Sequence, residues 1–146
     1  MTKKNWLMVG FVAALGAFYL LRFTDFGRPQ LIQINVVERP FVPNPAPGEV
    51  LPLVFGLDRD CRLTALRVLP VSEASNAKPK VVWELASKAG SEPVRGFTYA
   101  DEIPGMKNAG AKALPLIAGA AYRVELEAGR AKGTAEFTPH PALPAE

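Results

Sequence analysis

The side chains able to do chemistry are few and scattered along the chain. His140 is the sole histidine and stands among Pro139, Pro141 and Pro144; nothing beside it in sequence would orient it as a general base. Cys61 is the sole cysteine, which excludes an intrachain disulfide, and it lies too far past the apolar N-terminal segment to be a lipoprotein site. It reads as a small buried apolar residue, with an intermolecular disulfide or a reactive thiol as the alternative. Asp58 and Asp60 begin like a calcium loop, but the further ligands and the glycine of such a loop are missing, so they read as a solvated turn. Glu125 and Glu127 share one strand face opposite Val124 and Leu126, as a solvent-facing side would. No serine or cysteine stands in a nucleophile elbow, and no glycine-rich phosphate loop follows a strand. Trp83 and Tyr99 are large aromatics; Trp83 in a central strand fills a core, whereas a sugar-stacking platform needs it exposed. These residues imply no catalytic set, no metal and no cofactor, and the chain is expected not to be an enzyme.

Residues 5–21 hold no charge and form an apolar run of about 25 Å as a helix. Trp6 and Tyr19 near its ends suit the two interfaces, and Lys3, Lys4 and Arg22 can reach outward to water. The expectation is a transmembrane signal-anchor over residues 1–22. A cleaved signal peptide is the rival reading. Ala14, Leu15 and Gly16 form a tolerable small-x-small site, yet Phe18, Tyr19, Leu20 and Leu21 would follow the cut, and an apolar run past the site favours retention. Lys3 and Lys4 place the N-terminus in the cytoplasm, narrowly against Arg22 and Arg28. The rest of this single-pass membrane protein is then periplasmic or extracellular. Gly10 and Ala14 lie four apart on one face, with Ala13 and Ala17 nearby, a spacing that lets a second helix approach.

The anchor also accounts for the charge. Taking Lys3, Lys4, Arg22 and Arg28 from the 17 basic residues and Asp25 from the 14 acidic ones leaves 13 of each in the remainder. A neutral domain with no basic run is a poor nucleic-acid binder.

The remainder reads as short strands between turns. After a linker over residues 23–30, Ile32, Ile34 and Val36 alternate with polar positions in a first strand, residues 31–36. Pro40, Pro43, Pro45 and Pro47 exclude helix and central ladder. A second strand covers residues 51–57, with Leu51, Leu53, Phe55 and Leu57 on one face; Asp58, Arg59 and Asp60 turn the chain. Further strands fall at 62–69, 80–85, 94–99, 122–127 and 134–138, with a turn from Gly129 to Gly133 and a long loop over 100–115. Seven strands with such turns make an all-β, antiparallel sandwich over residues 31–138, followed by a proline-rich tail, 139–146.

Leu116, Gly119 and Tyr122, leading into Arg123 and Val124, resemble the approach to the sixth strand in fibronectin type III domains. The resemblance covers residues 116–137, and Ala118 stands where that family usually has proline. It implies an immunoglobulin/fibronectin III-like sandwich and a tyrosine corner, with the hydroxyl bonded to upstream backbone. It implies no activity.

The loop over residues 100–115 is longer than ordinary strand connections, and such loops are usually functional or disordered. Ile103 and Met106 are apolar with no strand to bury them, so they are the expected partner-binding residues, alongside Gly10 and Ala14 in the helix; folding back to cap the core is the competing role. The expected function is a non-catalytic accessory or interaction subunit of a larger membrane complex, for which a photosynthetic or respiratory assembly is one setting. Its partners are the membrane and other membrane-protein subunits. The alternative is a surface-tethered module that binds peptide or glycan. Intact-mass analysis of the mature protein should find residues 1–21 still attached; a chain starting near Ala17 would overturn the anchor.

Overall fold

The computed structural model describes residues 2–23, 30–40, 44–110 and 112–142. Most of the expected linker (24–29), Pro43, Ala111 within the long loop and the end of the tail (143–146) lie outside the described residues.

Helix α1 runs Lys3–Phe23 over 21 residues, about 32 Å and enough for a hydrocarbon core. It is long and apolar enough to cross a membrane. None of its residues is buried against the rest of the chain, and Arg22 occupies its last turn, where a cation complements the helix dipole.

Eight strands follow: β1 Ile34–Glu38, β2 Leu53–Cys61, β3 Ala65–Pro70, β4 Trp83–Ala86, β5 Val94–Thr98, β6 Lys107–Asn108, β7 Tyr122–Ala128 and β8 Ala131–Phe137. They form two antiparallel sheets, ordered β1-β2-β5 and β6-β4-β3-β7-β8. Strand alternation sorts the side chains. Leu66 and Val68 of β3 and Val124 and Leu126 of β7 turn inward and are buried. On the opposite face Arg67 stands across from both Glu84 and Glu125 in register, and its guanidinium donates to Glu125 at 2.5 and 2.9 Å. Arg123 pairs with Glu136 across β7 and β8 at 2.7 Å. The glutamates of β7 thus belong to a solvated charge ladder, each pair contributing a few tenths of a kcal/mol, about 0.2–1.

Aromatic rings cross the core from one sheet to the other. Phe55 of β2 stacks on Phe97 of β5 at 5.1 Å and meets Phe137 of β8 edge-on at 5.3 Å. Phe137 stacks on Tyr122 at 5.9 Å. Phe97 reaches Trp83 of β4 at 6.1 Å, and Trp83 meets Tyr99 at 5.1 Å. Trp83, 2% exposed, fills the core as its strand position predicts.

One side of the two sheets is closed by strands that change partner. Leu31 bridges Lys132 of β8 before β1 joins β2. At the other end Pro141 bridges Val50, and the Leu51 N–H donates to the His140 carbonyl at 3.0 Å. Residues 139–142, expected as a tail beyond the domain, are therefore bonded into it. Gly133 permits this closure. A Cβ there would stand 2.7 Å from the Ile32 carbonyl oxygen, so this glycine serves close approach within β8 and is not part of the turn. The turn itself is confined to Gly129 and Arg130, with Gly129 at φ +62.

The expected turn at Asp58, Arg59 and Asp60 is a correction. These residues continue β2, whose pairing with β5 shifts register between Gly56 and Cys61. Their polarity reflects an exposed strand end, where the Asp58 N–H donates to the Gln33 carbonyl at 3.2 Å. The reversal into β3 comes later, over residues 62–64. The loop over 100–115 is likewise not strandless, because β6 pairs with β4 at Leu85 and Ala86.

Tyr122 is 3% exposed, and its hydroxyl accepts the Ile117 N–H at 3.0 Å. Gly119, at φ +81, makes the turn between them. Tyr122→Phe should cost about 1 kcal/mol, the net worth of one such bond; an unchanged thermal midpoint would mean that the bond contributes nothing.

Candidate functional site

The side of the domain opposite the strand exchange has no ladder to close it. There β5 is the margin of one sheet and the two-residue β6, paired with β4, is the margin of the other, and the described residues of 99–116 cover the space between them. The segment opens on Ala100, a non-glycine residue at φ 68, held where the Asp101 N–H donates to the Thr98 carbonyl at 3.2 Å. It then runs along the domain, and the Pro104 carbonyl accepts the Glu92 N–H at 3.0 Å. At the following Gly105, φ +87, a Cβ would stand 3.1 Å from the Ser91 Cα. Glycine is thus required both by conformation and by space. The chain returns as β6 and is tied to β4 and the residue before it, the Ala109 N–H to the Glu84 carbonyl at 3.2 Å and the Leu114 N–H to the Val82 carbonyl at 2.9 Å.

Two tyrosines pin the far end. The Tyr99 hydroxyl donates to the Leu114 carbonyl at 2.6 Å, and three residues on, Ile117 is held by Tyr122. Burial, and secondarily the proximity of Tyr122, raises the Tyr99 pKa well above the ordinary phenol value, so this hydroxyl stays a neutral donor. Ser91 anchors the connection beneath. It is the one buried polar residue of the described core; its hydroxyl accepts the Leu63 N–H at 2.9 Å and donates to the Glu92 carbonyl at 2.7 Å.

Between this segment and β4 lies a cleft of about 830 Å³. Its floor is Trp83, Leu85 and Ile103, and its rim carries Asp101, Glu102, Lys107 and Lys112, all exposed. The floor is apolar and the rim holds both signs of charge.

The expected partner residues divide. Ile103 is 4% exposed and belongs to the core cluster. The loop folds it back over the apolar gap beside β4 and β5, so the Ile103 side chain caps the core. Met106 is half-buried, packed against that cluster and open to the cleft. Gly10 and Ala14 are exposed on α1, and a Cβ at Gly10 would meet nothing within 4 Å. The charged rim was not singled out from sequence, since Asp101, Glu102, Lys107 and Lys112 look like ordinary loop residues until the fold sets them around one opening.

The remaining reactive groups are occupied structurally. Cys61 is buried, and burial raises its thiol pKa, with Arg59 opposing and Asp58 and Asp60 adding to the rise. The His140 ring meets Glu38 at 2.8 Å while the His140 backbone N–H donates to the same carboxylate at 3.0 Å. This histidine helps to fasten the strand exchange. Among the described residues no group of His, Cys, Asp and Glu is arranged to hold a metal ion. Comparison of the chain with family models, curated proteins and solved structures finds no match.

Ile103→Ala should lower stability by about 2–5 kcal/mol, the range for truncating a buried aliphatic side chain. Met106→Ala should cost less. Thermal melting of the full chain in detergent reads both; an Ile103→Ala variant that melts with the native protein would return Ile103 to the surface.

Proposed function

We propose that this protein is a non-catalytic, membrane-anchored interaction subunit. The observation that carries the reading is that α1, apolar and of spanning length, buries none of its residues against the β domain. A helix with so much exposed apolar surface needs a bilayer, and a face with Gly10 and Ala14 admits a neighbouring helix within it. The β domain adds a second contact, the cleft beside residues 99–116 with its apolar floor and charged rim.

The absence of enzymatic activity is part of the proposal. It is supported by the duties already assigned to the reactive groups: Cys61 in the core, His140 on Glu38, Ser91 on backbone, and Glu125 and Glu136 on arginines. The two-sheet domain is read as immunoglobulin/fibronectin III-like. The Leu116, Gly119 and Tyr122 geometry supports that finer assignment, because the hydroxyl meets upstream backbone as a tyrosine corner does. Lys3 and Lys4 in the first turn of α1 support a cytoplasmic N-terminus and an extracytoplasmic domain.

Extraction in mild detergent followed by sizing tests the reading. The chain should comigrate with other membrane proteins. Reversing the rim with Asp101→Lys and Lys107→Glu should reduce that comigration several-fold while leaving the melting temperature unchanged, since both residues are exposed. A monodisperse small species that binds glycan or free peptide would replace the subunit reading with a tethered binding module.

A further inference from the structure

Four segments meet at one end of the β domain. They are the entry at Gln30 and Leu31, the β2–β3 reversal, the β4–β5 connection and the β7–β8 turn. Backbone bonds join them: Lys132 N–H to the Gln30 carbonyl at 2.9 Å, Thr64 N–H to Glu127 at 2.7 Å, Ser87 N–H to Thr64 at 2.9 Å and Ser91 N–H to Leu63 at 2.8 Å. Arg59, Arg62, Lys88, Arg95, Arg130 and Lys132 are all exposed here. The acids at this end are Asp58, Asp60, Glu92 and Glu127. Asp58 lies 3.6 Å from Arg59, and Glu127 lies 3.7 Å from Lys132. Among the described residues Arg62, Lys88, Arg95 and Arg130 make no ion pair. The far end is balanced, with Glu38, Glu49, Glu73 and Asp101 against Arg39, Lys78, Lys80 and Lys112. A domain neutral as a whole therefore has a positive end, and it is the end at which the chain enters.

That end is also the tethered one. The chain from Phe23 to Gln30 reaches at most about 25 Å, while β2 alone, with its nine residues, extends about 30 Å toward the far end. The bilayer that receives α1 is thus always within reach of the positive end, and a tether of this length makes the local concentration of that surface high. Leu31, 76% exposed, stands among the basic residues, and the Arg59 guanidinium donates to its carbonyl at 2.5 Å. An apolar side chain beside Arg59 and Lys132 suits the headgroup layer, where each basic group adds about a fivefold preference for an anionic surface.

We propose that this end of the domain rests on the bilayer crossed by α1, with Arg59, Arg62, Lys88, Arg95, Arg130 and Lys132 on anionic lipid headgroups and Leu31 beside Arg59 and Lys132. The contact rests on the anchor reading above. It holds the domain upright, so that the cleft beside residues 99–116 faces along the membrane plane toward neighbouring subunits.

The full chain, reconstituted in vesicles with and without an anionic lipid, tests the contact. A dye is attached at Ala89→Cys at the positive end or at Ser75→Cys at the far end, both exposed positions; the buried Cys61 of the native chain serves as the unlabelled control. Quenching by a headgroup spin label should be strong at position 89 in anionic vesicles and weak in neutral ones. It should be weak at position 75 in both. Arg62→Gln with Lys88→Gln and Arg130→Gln, or raised salt, should reduce the position-89 signal about tenfold or more. Equal quenching in neutral and anionic vesicles, or in the triple variant, overturns the contact. Flotation of the same samples reads the anchor separately. A chain that fails to float with either vesicle sinks the anchor and this contact together, whereas one that floats with both and shows no charge-dependent quenching sinks the contact alone.

Discussion

The fold depends on the contact between Phe55 and its two aromatic neighbours, because that contact joins the sheets. Phe55 is fully buried, stacks on Phe97 within its own sheet and meets Phe137 edge-on in the other. Neither sheet alone could bury these rings. Aromatic pairs add about 0.5–1.5 kcal/mol beyond the area they remove from water, and their preferred angles restrict how the sheets sit against each other. From Phe137 the contacts continue to Tyr122, and from Phe97 through Trp83 to Tyr99. Both outer tyrosines then spend their hydroxyls on the backbone of the same segment, at Leu114 and Ile117. The core thereby positions residues 114–117, and the shape of the adjoining cleft follows from ring packing.

Closure of the two sides differs in kind. On one side β1 and β8 meet through Leu31 and Lys132, and the last described residues pair with residues 49–51, so backbone hydrogen bonds seal the edge. Unpaired strand edges invite pairing with other chains, and this exchange covers part of one such edge. On the other side the seal is a loop that touches β4 intermittently. An edge covered by a loop keeps side chains at the surface and leaves room between attachments, whereas a ladder leaves none. The cleft exists on that side for this reason.

The charges are arranged by the same strand geometry. On the outer face of the larger sheet, cross-strand neighbours carry opposite signs, as with Arg67 and Glu125 or Arg123 and Glu136, and these cancel locally. The turns have no cross-strand partner to cancel theirs, so among the described residues arginine and lysine at positions 62, 88 and 130 make no ion pair at the end where the chain enters the domain at Gln30. A neutral composition and an uneven surface are compatible because ladders neutralise and turns do not.

Much of this was legible in the sequence, and particular residues say why. The uncharged run over residues 5–21 could only become an apolar helix with nothing in the domain to cover it. Alternation at residues 122–127 and 51–57 assigned those strands and their inward faces, and the Leu116, Gly119 and Tyr122 spacing anticipated the hydroxyl bond. All of these are local patterns, set by the period of a helix or a strand. The tertiary structure decided the rest. Asp58, Arg59 and Asp60 have turn-forming types, but pairing near Gln33 kept them in a strand. Gly133 looked like part of a turn, whereas the approach of Ile32 made it a strand residue with no room for a side chain. Ile103 lies in a loop by any local criterion, yet the gap between two sheet margins gave its side chain somewhere to be buried. The rim around the cleft and the positive end of the domain arise from residues far apart in the chain, and no period or spacing joins them. Their meeting depends on which strands pair, and that is settled by long-range burial of Phe55, Phe97 and Phe137.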